Sequence, residues 1–200
     1  MGNATSAVVD PAEQQRAFAE AITSVPDTRR RSVVVVGAHY FGRDVGDPLH
    51  AAVRDVPWGG ALLVEASPVI FAKLSANTAE RSPFRHVVPL VVNAGVAANS
   101  SSTSMPFFHL DDTHGLPNSA SQIGSFRRQH VQHYIDTWSV KLPAMRKRHI
   151  VTDLIPCRSL TEELSRHPTL PPPAVLMIDT EGLDCAIVAA QPWCAGLQPR

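Results

Sequence analysis

Ala174-Val175-Leu176-Met177-Ile178-Asp179-Thr180-Glu181-Gly182-Leu183-Asp184 is the stretch that decides the fold. A continuous apolar run leads into an acid, and a second acid and a glycine follow at once. Such a run reads as a strand buried on both faces, the usual state of a central parallel strand. Polar residues crowded at the carboxyl end of that strand sit where open α/β sheets bind their ligands.

Working outward from it, three more apolar runs end in the same way. Ser32 to Val36 is a valine run closing on Gly37. Ala61-Leu62-Leu63-Val64-Glu65 ends on an acid, and Val87 to Val92 ends at Asn93-Ala94-Gly95. Between them lie helix signals. Asp10-Pro11-Ala12-Glu13 combines an N-cap acid, a first-turn proline and a capping-box glutamate, for a helix to about Ser24. Asp47-Pro48 opens a helix through about Arg54, and Ser67-Pro68 opens another, with Ile70, Phe71 and Leu74 at core-facing spacing.

Beyond Asn99 to Ser104, a polar hinge of serines, Met105 to Leu110 reads as a short edge strand and Asp111 to Gly124 as loop. Arg127 to about Leu142 is helical, Ile150 to Ile155 is a short strand, and Ser159-Leu160-Thr161-Glu162 is a second capping box. The alternation of strand and helix predicts an α/β fold built on a right-handed parallel sheet. Residues 1–31 form an N-terminal segment with its helix, and residues 32–200 form the sheet domain.

Composition bounds the function classes. Hydrophobic residues are 44% and charged residues 18% of 200, a globular and not a disordered balance. The formal net charge is zero, which argues against the basic footprint of a nucleic-acid binder. No apolar run approaches the roughly 20 residues needed to span a bilayer. Cys157, Cys185 and Cys194 are odd in number and lack metal-ligand spacing, so free thiols in a reducing, cytoplasmic setting are expected. Met1-Gly2-Asn3-Ala4-Thr5-Ser6 fits the N-myristoylation pattern. A single acyl chain on Gly2 would give only weak membrane association.

The strand ends carry the candidate chemistry. Gly37 allows a sharp turn and a close backbone approach to a ligand. Its loop, His39-Tyr40-Phe41-Gly42, lacks the glycine triad of a dinucleotide cradle, which favours a ligand without phosphates there. Glu65 is placed to accept hydrogen bonds from both ribose hydroxyls of an adenosine. It lies 28 residues beyond Gly37, against a usual spacing of about 20. Asp179 and Glu181, if still on extended backbone, would share one face. They could bind an amino group, a metal ion or an acceptor hydroxyl, or Asp179 could simply satisfy loop amides. His109, His114, His130 and His133 are ligand-type residues, but they match no metal signature, and no metal site is expected. Arg127, Arg128, Arg146, Lys147 and Arg148 read as solvated surface.

Val175-Leu176-Met177-Ile178-Asp179-Thr180-Glu181-Gly182 resembles the signature of the FkbM-type methyltransferases, a class I family dependent on S-adenosylmethionine. Val36-Gly37-Ala38 resembles the family's first motif. Leu63-Val64-Glu65-Ala66-Ser67-Pro68 resembles its second-strand segment, and Val92-Asn93-Ala94-Gly95 its third-strand end. Ser121 to Phe126 and Val151 to Leu160 resemble its connecting region. The likeness spans roughly residues 32 to 190. It departs at Val35, where the family often has an acid, and at His39-Tyr40-Phe41.

The resemblance implies a Rossmann-like class I methyltransferase sheet, with parallel strands and helices on both faces. It implies S-adenosylmethionine as cofactor, held by Gly37, Ala38, Glu65, Asn93 and Asp179. It further implies a hydroxylated small molecule or carbohydrate as acceptor, with Asp179 and Glu181 as candidate catalytic bases and His39 as a looser one. Against the family's sheet, the chain reaches Arg200 before the last strands, so a C-terminally truncated domain is expected. Two other readings stay open: a nicotinamide-dependent oxidoreductase, which Glu65 would serve equally, and a truncated, inactive binding or interaction module.

Overall fold

A computed structural model describes residues 10–39, 41, 48–98, 104–111, 116 and 123–191. The acylation pattern at Gly2, Tyr40, Gly42, the Asp47 cap, His114, Ser121, Gln122 and Cys194 lie outside the described residues.

Two sheets share the chain. The first is wholly parallel, in the order β3-β2-β1-β8, with β1 Ser32–Val36, β2 Gly60–Glu65, β3 Leu90–Asn93 and β8 Pro173–Ile178. Three helices accompany the first three strands: α1 Pro11–Thr23, α2 Pro48–Arg54 and α3 Pro68–Glu80. The fold is α/β, and its parallel sheet flanked by helices is compatible with a Rossmann-like fold.

The valine run explains why β1 is central. Val33 and Val35 pack into one core with Ile22 of α1, Val53 of α2 and Leu74 of α3. Val34 and Val36 face the opposite core, with Leu160 and Ile187. All four valines are at most 4% exposed, so period-two alternation delivers apolar groups to both faces. Each fully buried side chain of this size contributes roughly 1.5–3 kcal/mol. Leu160 begins α5 (Leu160–Ser165), and Ile187 lies in α6 (Asp184–Ala189).

The predicted helix starts hold where they are described. The Ser67 side chain accepts the Ile70 amide at the head of α3. Ser159 and Glu162 form the complete capping box of α5.

The second sheet was not anticipated. Its order is β4-β7-β5-β6, with β4 Gly95–Ala97, β5 Ser104–Leu110, β6 Gly124–Ser125 and β7 Ile150–Ser159. The expected edge strand at Met105 to Leu110 is in fact interior. It pairs antiparallel with β7 from Ser104 to Leu110 and with β6 at Phe108 and His109. The expected short strand at Ile150 to Ile155 runs on through Pro156 to Ser159. Pro156 ends the pairing with β5, and Cys157 begins a parallel pairing with β4. Its missing N–H therefore falls where β7 changes partner.

The chain crosses between the sheets at Ala94, directly between β3 and β4, and the Ala94 amide still donates to the Glu65 carbonyl. A third core of Leu110, Ile123, Val131, Ile135 and Met145 holds α4 (Arg128–Trp138) against the second sheet. That helix ends earlier than the expected Leu142. Cys157 is buried and Cys185 exposed, both as free thiols. Among the described residues, no helix is long and apolar enough to cross a membrane.

Candidate functional site

In the parallel sheet the order runs outward from β1 to β3 and then returns to β8 on the other side of β1. The reversal lies between β1 and β8, and a crevice outside the carboxyl ends at such a point is the usual ligand site of open α/β sheets. A cavity of about 600 Å³ opens there, lined by Gly37, Glu65, Ala94, Asp179 and Glu181 among others. That volume is within the roughly 300–1,000 Å³ of small-molecule sites.

Register brings the expected residues to one level. Val36 pairs with Val64 and with Ile178, and Glu65 pairs with Asn93. Gly37, Glu65, Asn93 and Asp179 therefore stand at the ends of four adjacent strands. Gly37, Ala38, Glu65, Asp179 and Glu181 line the cavity. Asn93 is not among the lining residues. Its side-chain amide donates to the Glu65 and Ala66 carbonyls at 2.9 and 3.0 Å, tying the end of β3 to that of β2.

Gly37 meets a different neighbour from the one anticipated. Its φ is +78°, and a Cβ there would overlap the Asp179 carbonyl oxygen. The close approach that the missing side chain allows is to the backbone leaving β8.

Glu65 is 7% exposed. One carboxylate oxygen accepts the His39 amide at 2.8 Å and the other the Ser67 amide at 2.7 Å. Burial pushes its pKa above the usual glutamate value, against the pull of those amides. Each oxygen keeps a second lone pair, so Glu65 can orient the loop after β1 and still accept from a ligand hydroxyl.

The two acids after β8 do not share a run of extended backbone, as the shared-face argument required. The strand ends at Ile178, and Glu181 lies in the left-handed region at φ +52°, with Gly182 at +120°. They converge nonetheless. Partial burial first, then the charges of Glu181 and Asp184, raise the Asp179 pKa. Among the described residues no donor reaches the Asp179 carboxylate, so the loop-amide role falls to another acid. Asp184 accepts from the Thr180 amide at 2.6 Å and from the Thr180 hydroxyl at 3.0 Å. Burial works against its ionisation, yet those bonds prevail and its pKa lies below the usual value.

Helix α4 supplies contacts that the sequence did not disclose. The His130 Nε2 lies 2.8 Å from a Glu181 carboxylate oxygen. The Ser125 hydroxyl donates to the Glu181 carbonyl at 2.8 Å and accepts the Arg127 amide. The Glu181 charge, then burial and Asp179, push the Tyr134 phenol up. His130 and Tyr134 lie one helical turn apart, which brings both to the loop. Nothing in the sequence indicated that the loop after β8 was their partner.

The far wall comes from the second sheet: Gly95, Val96, Phe107, His109, Gly124 and Phe126. His109 is engaged elsewhere, with Nε2 3.0 Å from Asp153 and Nδ1 2.9 Å from the Leu110 carbonyl. Among the described residues, no group of histidines, cysteines and acids is arranged to hold a metal ion. Arg127, Arg128, Arg146 and Lys147 are exposed, and Arg148 is half-buried.

No protein-family model, no curated protein and no solved structure matches the chain.

Proposed function

We propose that this chain is an S-adenosylmethionine-binding, FkbM-type methyltransferase-like domain that transfers a methyl group to a hydroxyl of a small molecule or carbohydrate. The observation that carries the reading is the charge of the crevice at the β1/β8 reversal. Glu65, Asp179 and Glu181 line it, and no lysine or arginine does among the described residues. A nicotinamide dinucleotide would bring its pyrophosphate to carboxylates with no cation from the described lining to meet it. A sulfonium with an ammonium group suits the same wall.

The residues fit that group. Glu65 offers its second lone pairs to ribose hydroxyls, and Asp179, which no donor reaches among the described residues, can accept from the ammonium. Bound S-adenosylmethionine supplies an electrophilic methyl carbon, so the protein's task is mainly alignment and water exclusion. Asp179 and Glu181 would be the bases that take the acceptor's proton, a role supported by the raised pKa of Asp179, which moves it toward the working range of such a base. The reading carries with it a cytoplasmic setting and, if Gly2 is acylated, weak membrane association.

Calorimetry with S-adenosylhomocysteine and NAD tests this. S-adenosylhomocysteine is expected to bind, Glu65→Ala to weaken it by about tenfold, near 1.4 kcal/mol, and NAD to give no heat. A folded protein that ignores S-adenosylhomocysteine overturns the reading, and one that takes NAD instead favours the oxidoreductase.

A further inference from the structure

The second-sheet wall has its own chemistry. Phe107 and Phe126 meet edge to face, with ring centroids 5.2 Å apart and planes at 70°. Each ring is seated on a glycine. A Cβ on Gly95 would strike Phe126 and the Cys157 sulfur, and one on Gly124 would strike the Phe107 ring. The two rings are thus held by backbone contact and present a fixed apolar surface to the cavity.

The polar groups of that wall are few and already used. Both ring nitrogens of His109 face protein oxygens, and Gly95, Val96 and Gly124 carry no polar side chain. A sugar laid against this wall would leave the hydroxyls that face it without side-chain partners, at a cost of about 1–3 kcal/mol for each one buried. A phosphorylated or carboxylated acceptor would meet Asp179 and Glu181 with no cation from the described lining. What remains is a neutral, flat ring with a hydroxyl at one edge, its face on the half-buried Phe126, its rim toward Phe107 and its hydroxyl toward the acids after β8.

We infer that the Phe107–Phe126 wall is an acceptor subsite for a neutral aryl alcohol of the phenol type. This narrows the acceptor class of the proposed methyltransferase and rests on that reading for the role of the ring, though not for its binding.

Saturation-transfer NMR on the full chain, with S-adenosylhomocysteine present and absent, tests it using phenol, glucose and glucose 6-phosphate as probes. Phenol is expected to receive saturation and to shift the Phe126 ring signals, with glucose and its phosphate at least tenfold weaker. Phe126→Leu keeps apolar volume without the ring and is expected to weaken phenol at least fivefold while S-adenosylhomocysteine stays within twofold. Phe126→Ala serves as a second variant, compared only if its circular dichroism matches the parent. Glucose binding as well as phenol, or phenol indifferent to Phe126, overturns the inference while S-adenosylhomocysteine binding leaves the parent reading intact. Loss of S-adenosylhomocysteine binding with phenol still bound at Phe126 overturns the parent reading alone.

Discussion

Gly37 and Asp179 meet backbone to backbone: the Asp179 carbonyl oxygen occupies the place where a Gly37 side chain would begin. The contact joins the two strands that flank the reversal of the sheet, and the Asp179 amide donates to the Val36 carbonyl beside it at 2.9 Å. Gly37→Ala must therefore force a left-handed φ on alanine and push β8 away from β1. The first effect costs about 1 kcal/mol and the second about 1–3 kcal/mol. Urea denaturation is expected to register a loss of roughly 2–4 kcal/mol. A loss below about 1 kcal/mol would mean that β8 does not pack on Gly37 as described.

Glu65 gives a pH signature. Its folded pKa is raised, so the folded chain holds this proton to higher pH than the unfolded chain does. Stability from this group is therefore undiminished below the ordinary value of 4.5 and falls as pH rises from there through the folded pKa. Glu65→Gln removes that slope. It also leaves one of the His39 and Ser67 amides facing an amide N–H₂, at a cost of about 1–3 kcal/mol. Denaturation across pH 4.5 to 7.5 is expected to show the variant less stable but with a flatter profile.

Much of the parallel sheet could be read from the chain because its information is local. Val33 to Val36 must be buried on both faces whatever surrounds them, and Glu65 and Asp179 follow apolar runs directly. The second sheet could not be read in this way. Its β4 is three residues long and continues β3 after a single alanine, and β6 is two residues long, so neither shows a period. The site was half legible for the same reason. Glu65, Asp179 and Glu181 were visible as strand-end acids, but His130 reaches Glu181 across 51 positions. Phe107 and Phe126 become a wall only once Gly95 and Gly124 are known to lie beneath them. The position of Gly37 was clear and its partner was not, since a turn glycine looks the same whether a ligand or a carbonyl lies opposite.

Glu181 holds a left-handed backbone, φ +52°, that a glycine would adopt freely. Of the other described non-glycine residues with positive φ, His39 at +46° also borders the cavity, while Asp27 does not. Strain kept by two residues at one site is the pattern expected where side-chain identity matters more than stability. Glu181→Gly and Glu181→Ala both remove the carboxylate and the contact with His130, so their difference isolates the backbone. The glycine variant is expected to be more stable than the alanine variant by about 1 kcal/mol. Equal stabilities would mean that Glu181 is not held in this conformation in solution.

Glu163 is 1% exposed and sits between two basic side chains, with Arg158 at 3.0 Å on one oxygen and His167 at 2.9 Å on the other. Both bases keep some contact with water, at 30% and 20% exposure of their side chains. The cluster ties α5 to β7, beneath the core that β1 shares with Leu160 and away from the cavity. Removing the buried acid leaves the Arg158 guanidinium and a His167 ring nitrogen facing a void. Breaking a buried pair in this way costs about 3–5 kcal/mol, and the partial exposure of the partners places Glu163→Ala near the lower end. Truncating either base alone leaves the acid one partner, so Arg158→Ala and His167→Ala are each expected to cost less. Because the cluster does not touch the cavity, S-adenosylhomocysteine affinity should be unchanged in any of the three variants that folds. A Glu163→Ala protein losing affinity in step with stability would instead mean that α5 and the crevice open together.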